Sequence, residues 1–444
     1  MSTVVNASSP LSAARILKTW WPLAAGWLIM TVEIPMLSAV VARLAAPERN
    51  LAAWGVVFPL ALILAAPVMM LLSASTALSK DWQSYAQMRR YMVGLSALLT
   101  LLHALLAFTP LYYVVVEGII AAPPEIVEPA RRGLQIMLPW SAALAIRRFN
   151  YGVLIRFGHS GAVTLGAVVR LAVDAAVLGV MYFIGDLSGI VVATGTITCG
   201  VVGEALYAGW RVAPILRTQL KAAQPVAEFL TVRKFLAFYL PLVMTALLQV
   251  VVQPITTAAL SRMPDPLQTL AVWPVVYGLV IIWMSAGMAY TEAVVVLLDE
   301  PGATAPLQRF TLQLSAVTIF LLFLMTATPL ADLWFSRIAA LPPPLIDTAH
   351  QALWLALLLP GLTVVQSWHS GMLMNERRTR GITEAMLIAL LGNTLILWLG
   401  VLWGQMPGLY IGMTALLIGN LGRAAWLWYR TRPVMARTQV AELA

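Results

Sequence analysis

The chain has 444 residues, of which 60% are hydrophobic and only 11% charged, and its formal net charge is +9. A water-soluble chain carries about 25% charged residues, so lipid must be the solvent for much of this one, and a soluble enzyme or nucleic-acid-binding module is excluded. The one cysteine, Cys199, can close no internal disulfide, and no Cys/His spacing fits a metal, so no cofactor is expected.

Residues 1–10 are polar, and Arg15 and Lys18 precede the first apolar run. That run, 16–42, is too long for the apolar core of a signal peptide and reads as a retained helix. It opens near Trp20-Trp21-Pro22, where an interfacial tryptophan and a first-turn proline are both at home. A spanning helix needs about 20 mostly apolar residues. Twelve runs qualify, at 16–42, 51–78, 91–116, 133–156, 163–185, 188–210, 235–260, 269–297, 308–330, 347–374, 382–403 and 408–430. Helices rather than a barrel follow from the run lengths and from the need to satisfy every backbone group in lipid.

The chain is duplicated with a shift of 219 residues: Pro22 recurs as Pro241, Pro35 as Pro254, Arg43 as Arg262, Trp54 as Trp273 and Gly152 as Gly371. Seven of the 13 prolines in residues 1–225 land on proline under this shift, where 27 prolines in 444 positions would give roughly one coincidence. The fold class expected is an all-α polytopic membrane protein of two six-helix repeats. An even helix number per repeat makes them parallel. The lobes are drawn at 1–210 and 235–444, joined by a charged connector, 211–234, that includes Pro225. Eighteen Lys and Arg fall on the side of the N-terminus and 6 on the other, which assigns both termini to the cytoplasm and the chain to the cell (inner) membrane. No loop is long enough for a nucleotide-binding domain, and no Gly-rich phosphate loop occurs.

Ionisable groups inside the bilayer are costly and are functional candidates by default. Glu33 lies halfway along the first run, two residues before Pro35, and its repeat position is Val252. It is a candidate ion-coupling residue, or else a partner for an arginine. Arg147 and Arg148, followed by Asn150, interrupt the fourth run. A guanidinium forks onto carboxylate or phosphate, so they could bind an anionic substrate; neighbours on a helix point about 100° apart, so both are not expected to face one cavity. The alternative is that both snorkel to the surface. Gln366 and His369 in the tenth run could line an opposite wall. Arg170 and Asp174, four apart, share a helix face and read as a structural pair, with Asp174 also a coupling candidate. Glu204 and Arg423 are repeat equivalents of opposite charge, expected near the cytoplasmic ends of their helices as a gate or as solvated interface groups.

Tyr239-Leu240-Pro241-Leu242, then Gln253-Pro254-Ile255 and Ser261-Arg262, resemble the progressive ankylosis protein family, as do Pro360, Gln366, His369 and Gly371-Met372-Leu373-Met374 ahead of a basic turn. That family resembles a branch of the multidrug/oligosaccharidyl-lipid/polysaccharide (MOP) exporter superfamily, which includes MATE exporters and lipid-precursor flippases. The resemblance implies six-plus-six parallel repeats and adds Gln253 to the substrate-binding candidates. The function expected is a secondary transporter, not an enzyme, that exports an organic or phosphorylated anion by alternating access. The alternatives are a flippase for a lipid-linked precursor and a MATE-like cation antiporter. The partners expected are a small-molecule or lipid-linked substrate, the bilayer, and a proton or sodium as coupling ion, with the chain acting as a monomer.

Overall fold

Three pairs of unusual backbone turns, each pair 219 residues apart, carry the duplication into the backbone. Ala46 and Asp265 have φ of 50° and 53°, Ala121 and Ala340 have 58° and 51°, and Gly185 and Gly404 have 82° and 61°. Four of the six are non-glycine residues in the left-handed region, which is uncommon, so the two halves share even their strained corners. The structure is a computed structural model that describes residues 11–224, 231–298, 300, 302–376, 378 and 380–443. The polar start, 1–10, and Pro225 of the connector lie outside the described residues.

Among the described residues every regular element is helical. The first half contains α1 (Ala13–Val41), α2 (Pro47–Leu78, interrupted at Met70), α3 (Trp82–Phe108), α4 (Pro124–Ile136), α5 (Leu138–Arg156), α6 (Gly161–Ile184) and α7 (Gly189–Leu220). The second contains α8 (Val232–Leu260), α9 (Pro266–Leu297), α10 (Thr304–Ala327), α11 (Pro343–Asn375), α12 (Arg380–Trp403) and α13 (Gly408–Leu443). Side chains start several of them. Asp81 Oδ1 accepts from the Ser84 amide at 2.8 Å, and Thr231 Oγ1 from Lys234 at 3.3 Å. Pro47 and Pro266 occupy first turns, where no amide is needed.

Ten helical stretches among the described residues are long and apolar enough to cross a membrane, where twelve were expected. The missing two have physical reasons. The fourth run, drawn as one helix over 133–156, is two helices, α4 and α5, that meet at Met137, and α5 carries Arg147, Arg148 and Arg156. The last run continues from Gly408 far beyond its apolar part, through Arg423, Arg430 and Arg432.

The halves interlock through their first two helices. α1 lies along α9, α2 crosses both α8 and α9, and α9 packs on α11. The beginning of α1 is buried in the second half: Ile16, Trp20 and Ala24 share a core with Tyr290, Leu307 and Trp368, and Trp20 Nε1 donates to the Ala286 carbonyl at 2.9 Å. At the opposite end two arginines clasp the halves reciprocally. Arg43, at the foot of α1, donates to the carbonyls of Ile338 (2.8 Å) and Arg337. Arg262, its repeat equivalent, donates to those of Ile119 (2.5 Å) and Ile120 (2.9 Å). Ile119 and Ile338 are themselves 219 apart, so one interaction is built twice across the interface.

Close helix approaches fall at repeated glycines, but unequally. A Cβ on Gly152 would lie 2.5 Å from the Leu72 carbonyl oxygen and 2.9 Å from the Thr76 amide, whereas on Gly371 its nearest neighbours are side-chain atoms of Val294, at 2.5 and 2.8 Å. Backbone cannot step aside as a valine can. Gly152→Ala is therefore expected to destabilise by about 1–3 kcal/mol, the usual cost of overpacking, and Gly371→Ala by less. Thermal unfolding in detergent checks the order, and a milder effect at Gly152 would refute the packing argument.

Candidate functional site

α1, α5, α6 and α7 bring five ionisable side chains around a cavity of about 50 Å³: Glu33, Arg147, Arg170, Asp174 and Glu204. Each is held by its helix. Glu33 stands in the second half of α1, eight residues before its end, and Arg170 and Asp174 are one turn apart on α6. Arg147 Nη1 donates to Glu204 Oε2 across the α5–α7 contact, and Tyr151, one turn further along α5, donates to Glu204 Oε1 at 2.9 Å. Arg170 Nη2 reaches both oxygens of Glu33, at 2.6 and 2.5 Å. Asp174 comes no closer to Arg170 than 3.8 Å, and neither of its buried carboxyl oxygens has a hydrogen-bond partner.

Glycines make the room. A Cβ on Gly200 would sit 1.8 Å from Asp174 Oδ1, and one on Gly166 would sit 1.6 Å from the Tyr151 hydroxyl. Gly200 and Asp174 correspond under the repeat to Gly419 and Asn393, which also pack together, with a Gly419 Cβ 3.3 Å from that of Asn393. The charges do not repeat: the positions equivalent to Glu33, Arg147, Arg170 and Glu204 hold Val252, Gln366, Ala389 and Arg423. The cluster therefore belongs to the first half alone.

Several expectations need correcting. Arg170 does pair with Asp174 one turn away, at 3.8 Å, but its closer partner is Glu33 of α1, at 2.5 Å. Glu204 is 2% exposed and bound to Arg147 and Tyr151, so it is neither a solvated end nor opposite Arg423. The two arginines of α5 do diverge. Arg148 points to α2, where Nη2 lies 3.4 Å from Met69 Sδ. Asn150 lines a different, mostly apolar cavity between α3, α5 and α7. Gln366 donates to Asn420, and His369 Nδ1 lies 2.8 Å from Thr431 Oγ1, so both are engaged between α11 and α13 rather than facing Arg147. Gln253 is half-buried on α8 and does not line the cluster cavity.

No protein-family model matches the chain, and no curated protein matches it. Solved structures do. The lipid II flippase MurJ in an inward closed conformation aligns over 95% of this chain and 91% of its own, with a TM-score of 0.71 at 14% identity. An inward-facing multidrug resistance MATE family transporter of the MOP superfamily aligns over 95% and 98%, with 0.68 at 14% identity. The Vibrio cholerae MATE transporter VcmN aligns over 96% and 97%, with 0.64 at 16%. The chain has the fold that MATE transporters and MurJ share.

Within this fold the sequence left one member of the cluster unread, Tyr151. Its signal was there: it lies four residues after Arg147, hence on the same face of α5. Removing one member of a buried pair strands the other. Arg147→Ala is expected to cost about 3–5 kcal/mol by leaving Glu204 uncompensated, while Arg147→Met combined with Glu204→Gln should recover most of that loss. A double-mutant cycle by thermal unfolding tests it, and additive losses would mean that the two groups do not depend on each other.

Proposed function

We propose that this protein is a secondary transporter for an organic or phosphorylated anion, coupled to a proton held by Glu33 and Asp174. The observation that carries the substrate class is a surplus of guanidinium. Arg147 is neutralised by Glu204 and Arg170 by Glu33, but Arg148 and Arg423 have no carboxylate partner among the described residues, and the Nε of each is buried without a hydrogen bond. An uncompensated cation in low dielectric calls for an anion. The resemblance of α8 and α11 to the progressive ankylosis family, with the anion export it implies, supports the same class.

The coupling ion follows from a local count. Glu33 and Asp174 are two carboxylates served by one guanidinium, Arg170, and a proton supplies the missing positive charge. That local deficit is also what favours the second reading, a cation antiporter. A lipid-linked precursor is the third substrate class, since the lipid II flippase MurJ shares the fold. The reading includes twelve spans in two six-helix lobes, termini in the cytoplasm of a cell (inner) membrane, and a monomer that alternates by rocking the lobes.

Uptake into proteoliposomes of citrate and ATP, beside a cationic dye and under an imposed pH gradient, separates these readings. Arg148→Gln and Arg423→Gln are expected to lower anion uptake at least tenfold, and Asp174→Asn to abolish its dependence on the gradient. Dye movement that survives both arginine changes but stops in Asp174→Asn would establish the cation antiporter instead. In this mechanism the Arg43 and Arg262 clasps close the face opposite the termini. With Cys199 replaced by serine and spin labels at Glu117→Cys and Ser336→Cys, removing both arginines is expected to shift the inter-label distances to longer values. An unchanged distribution would mean that the clasps gate nothing.

A further inference from the structure

Where α11 ends and α13 leaves its apolar stretch, a pocket of about 270 Å³ is lined by Leu373, Arg378, Tyr429, Arg430, Arg432 and Pro433. It lies far along α13 from the cluster of the first half and plays no part in the transport reading. One carboxylate serves this corner. Glu384 takes Arg380 at 3.1 Å and Arg430 at 3.2 Å, and it also accepts the Trp426 indole N–H at 3.1 Å. Arg378 and Arg432 have no carboxylate partner among the described residues. Arg378 is positioned by its backbone, whose amide donates to the Leu373 carbonyl at 2.7 Å. The Arg432 guanidinium lies 3.7 Å over the Trp428 ring, which fixes its plane at the pocket edge.

The surface beneath the pocket names the source of the missing anion. Ile418, Leu421, Ala425, Trp428 and Arg432 recur at spacings of three and four on α13, so they form one stripe, and all five are exposed. From Ile418 to Trp428 the stripe runs about 15 Å at the helical rise, which is half of a hydrocarbon core about 30 Å thick. The apolar stripe therefore matches one leaflet, and the guanidiniums stand at its headgroup edge. A basic pocket between helices at this depth suits a lipid phosphate, which arginine can grip with two parallel hydrogen bonds. We propose that the pocket of Arg378, Arg430 and Arg432 binds the phosphate of an anionic phospholipid, one acyl chain lying along the stripe from Trp428 to Ile418.

The full chain, delipidated in detergent and titrated with phosphatidylglycerol or phosphatidylcholine under native mass spectrometry, provides the test. Wild type is expected to bind phosphatidylglycerol in preference. Arg378→Gln and Arg432→Gln should each weaken it about fivefold, the usual contribution of one basic residue at an anionic surface, and the pair together roughly 25-fold. Arg380→Gln, whose guanidinium faces Glu384 outside the pocket, should leave binding unchanged. Both arginines are exposed, so the variants are expected to keep the wild-type unfolding temperature, which is measured on the same samples. Equal binding of the two lipids, or a double variant that binds like wild type, overturns the proposal. So does displacement of the lipid by glycerol phosphate at matched concentration, which would assign the pocket to a soluble phosphate.

Discussion

The structure depends on how charge is balanced where water is absent. Three carboxylates and two arginines meet at one point between α1, α5, α6 and α7, each placed by its helix and mostly buried. Isolated, any of them would cost several kcal/mol to bury. Their pairing fixes which faces of four helices turn inward, so the ion cluster organises the first half as much as its apolar core does. The second half needs no such device, because Val252, Gln366, Ala389 and Asn393 stand where Glu33, Arg147, Arg170 and Asp174 stand in the first.

That asymmetry within a duplicated chain separates what the repeat does from what the site does. Features that repeat are architectural: the left-handed corners at Ala46 and Asp265, the glycines at 152 and 371, and the clasps of Arg43 and Arg262. Features that break the repeat are charges. A carboxylate at position 204 answers Arg147, while an arginine at its equivalent, 423, answers nothing among the described residues. Duplication supplied two lobes of one shape, and substitution at a few equivalent positions gave one lobe a cluster of paired charges and the other an arginine without a carboxylate partner among the described residues.

The same distinction explains what could be read from the sequence. The 219-residue shift and the long apolar runs made the all-helical, two-part architecture legible, because periodic hydrophobicity and proline placement are local properties of the chain. Glu33, Arg147, Arg170, Asp174 and Glu204 were each recognisable as costly groups in lipid. Their partners were not, since Glu33 and Arg170 are 137 residues apart and spacing says nothing about which helices touch. Spacing instead favoured Arg170 with Asp174, the neighbour one turn away, and it left Glu204 near a helix end because the run was drawn to 210, whereas α7 continues to Leu220. The fourth run was drawn as one helix although Pro139, which suits a first helical turn, marks the break at Met137.

α1 ties these levels together. One continuous helix carries Trp20 in the core of the second half, Glu33 on Arg170 of the first, and Arg43 on carbonyls of the second. Glu33 and Arg43 are ten residues apart, about 15 Å along the axis, with Pro35 between them removing a backbone hydrogen bond. α9 meets α1 there closely enough that a Cβ on Gly278 would lie 3.3 Å from Pro35 Cγ. Any event that exchanges the Glu33–Arg170 pair for another partner therefore acts on a helix already anchored at both ends to the opposite lobe. Such a helix cannot follow one lobe without straining its hold on the other, so under the proposed function α1 is the element through which an ion site and a gate would be coupled.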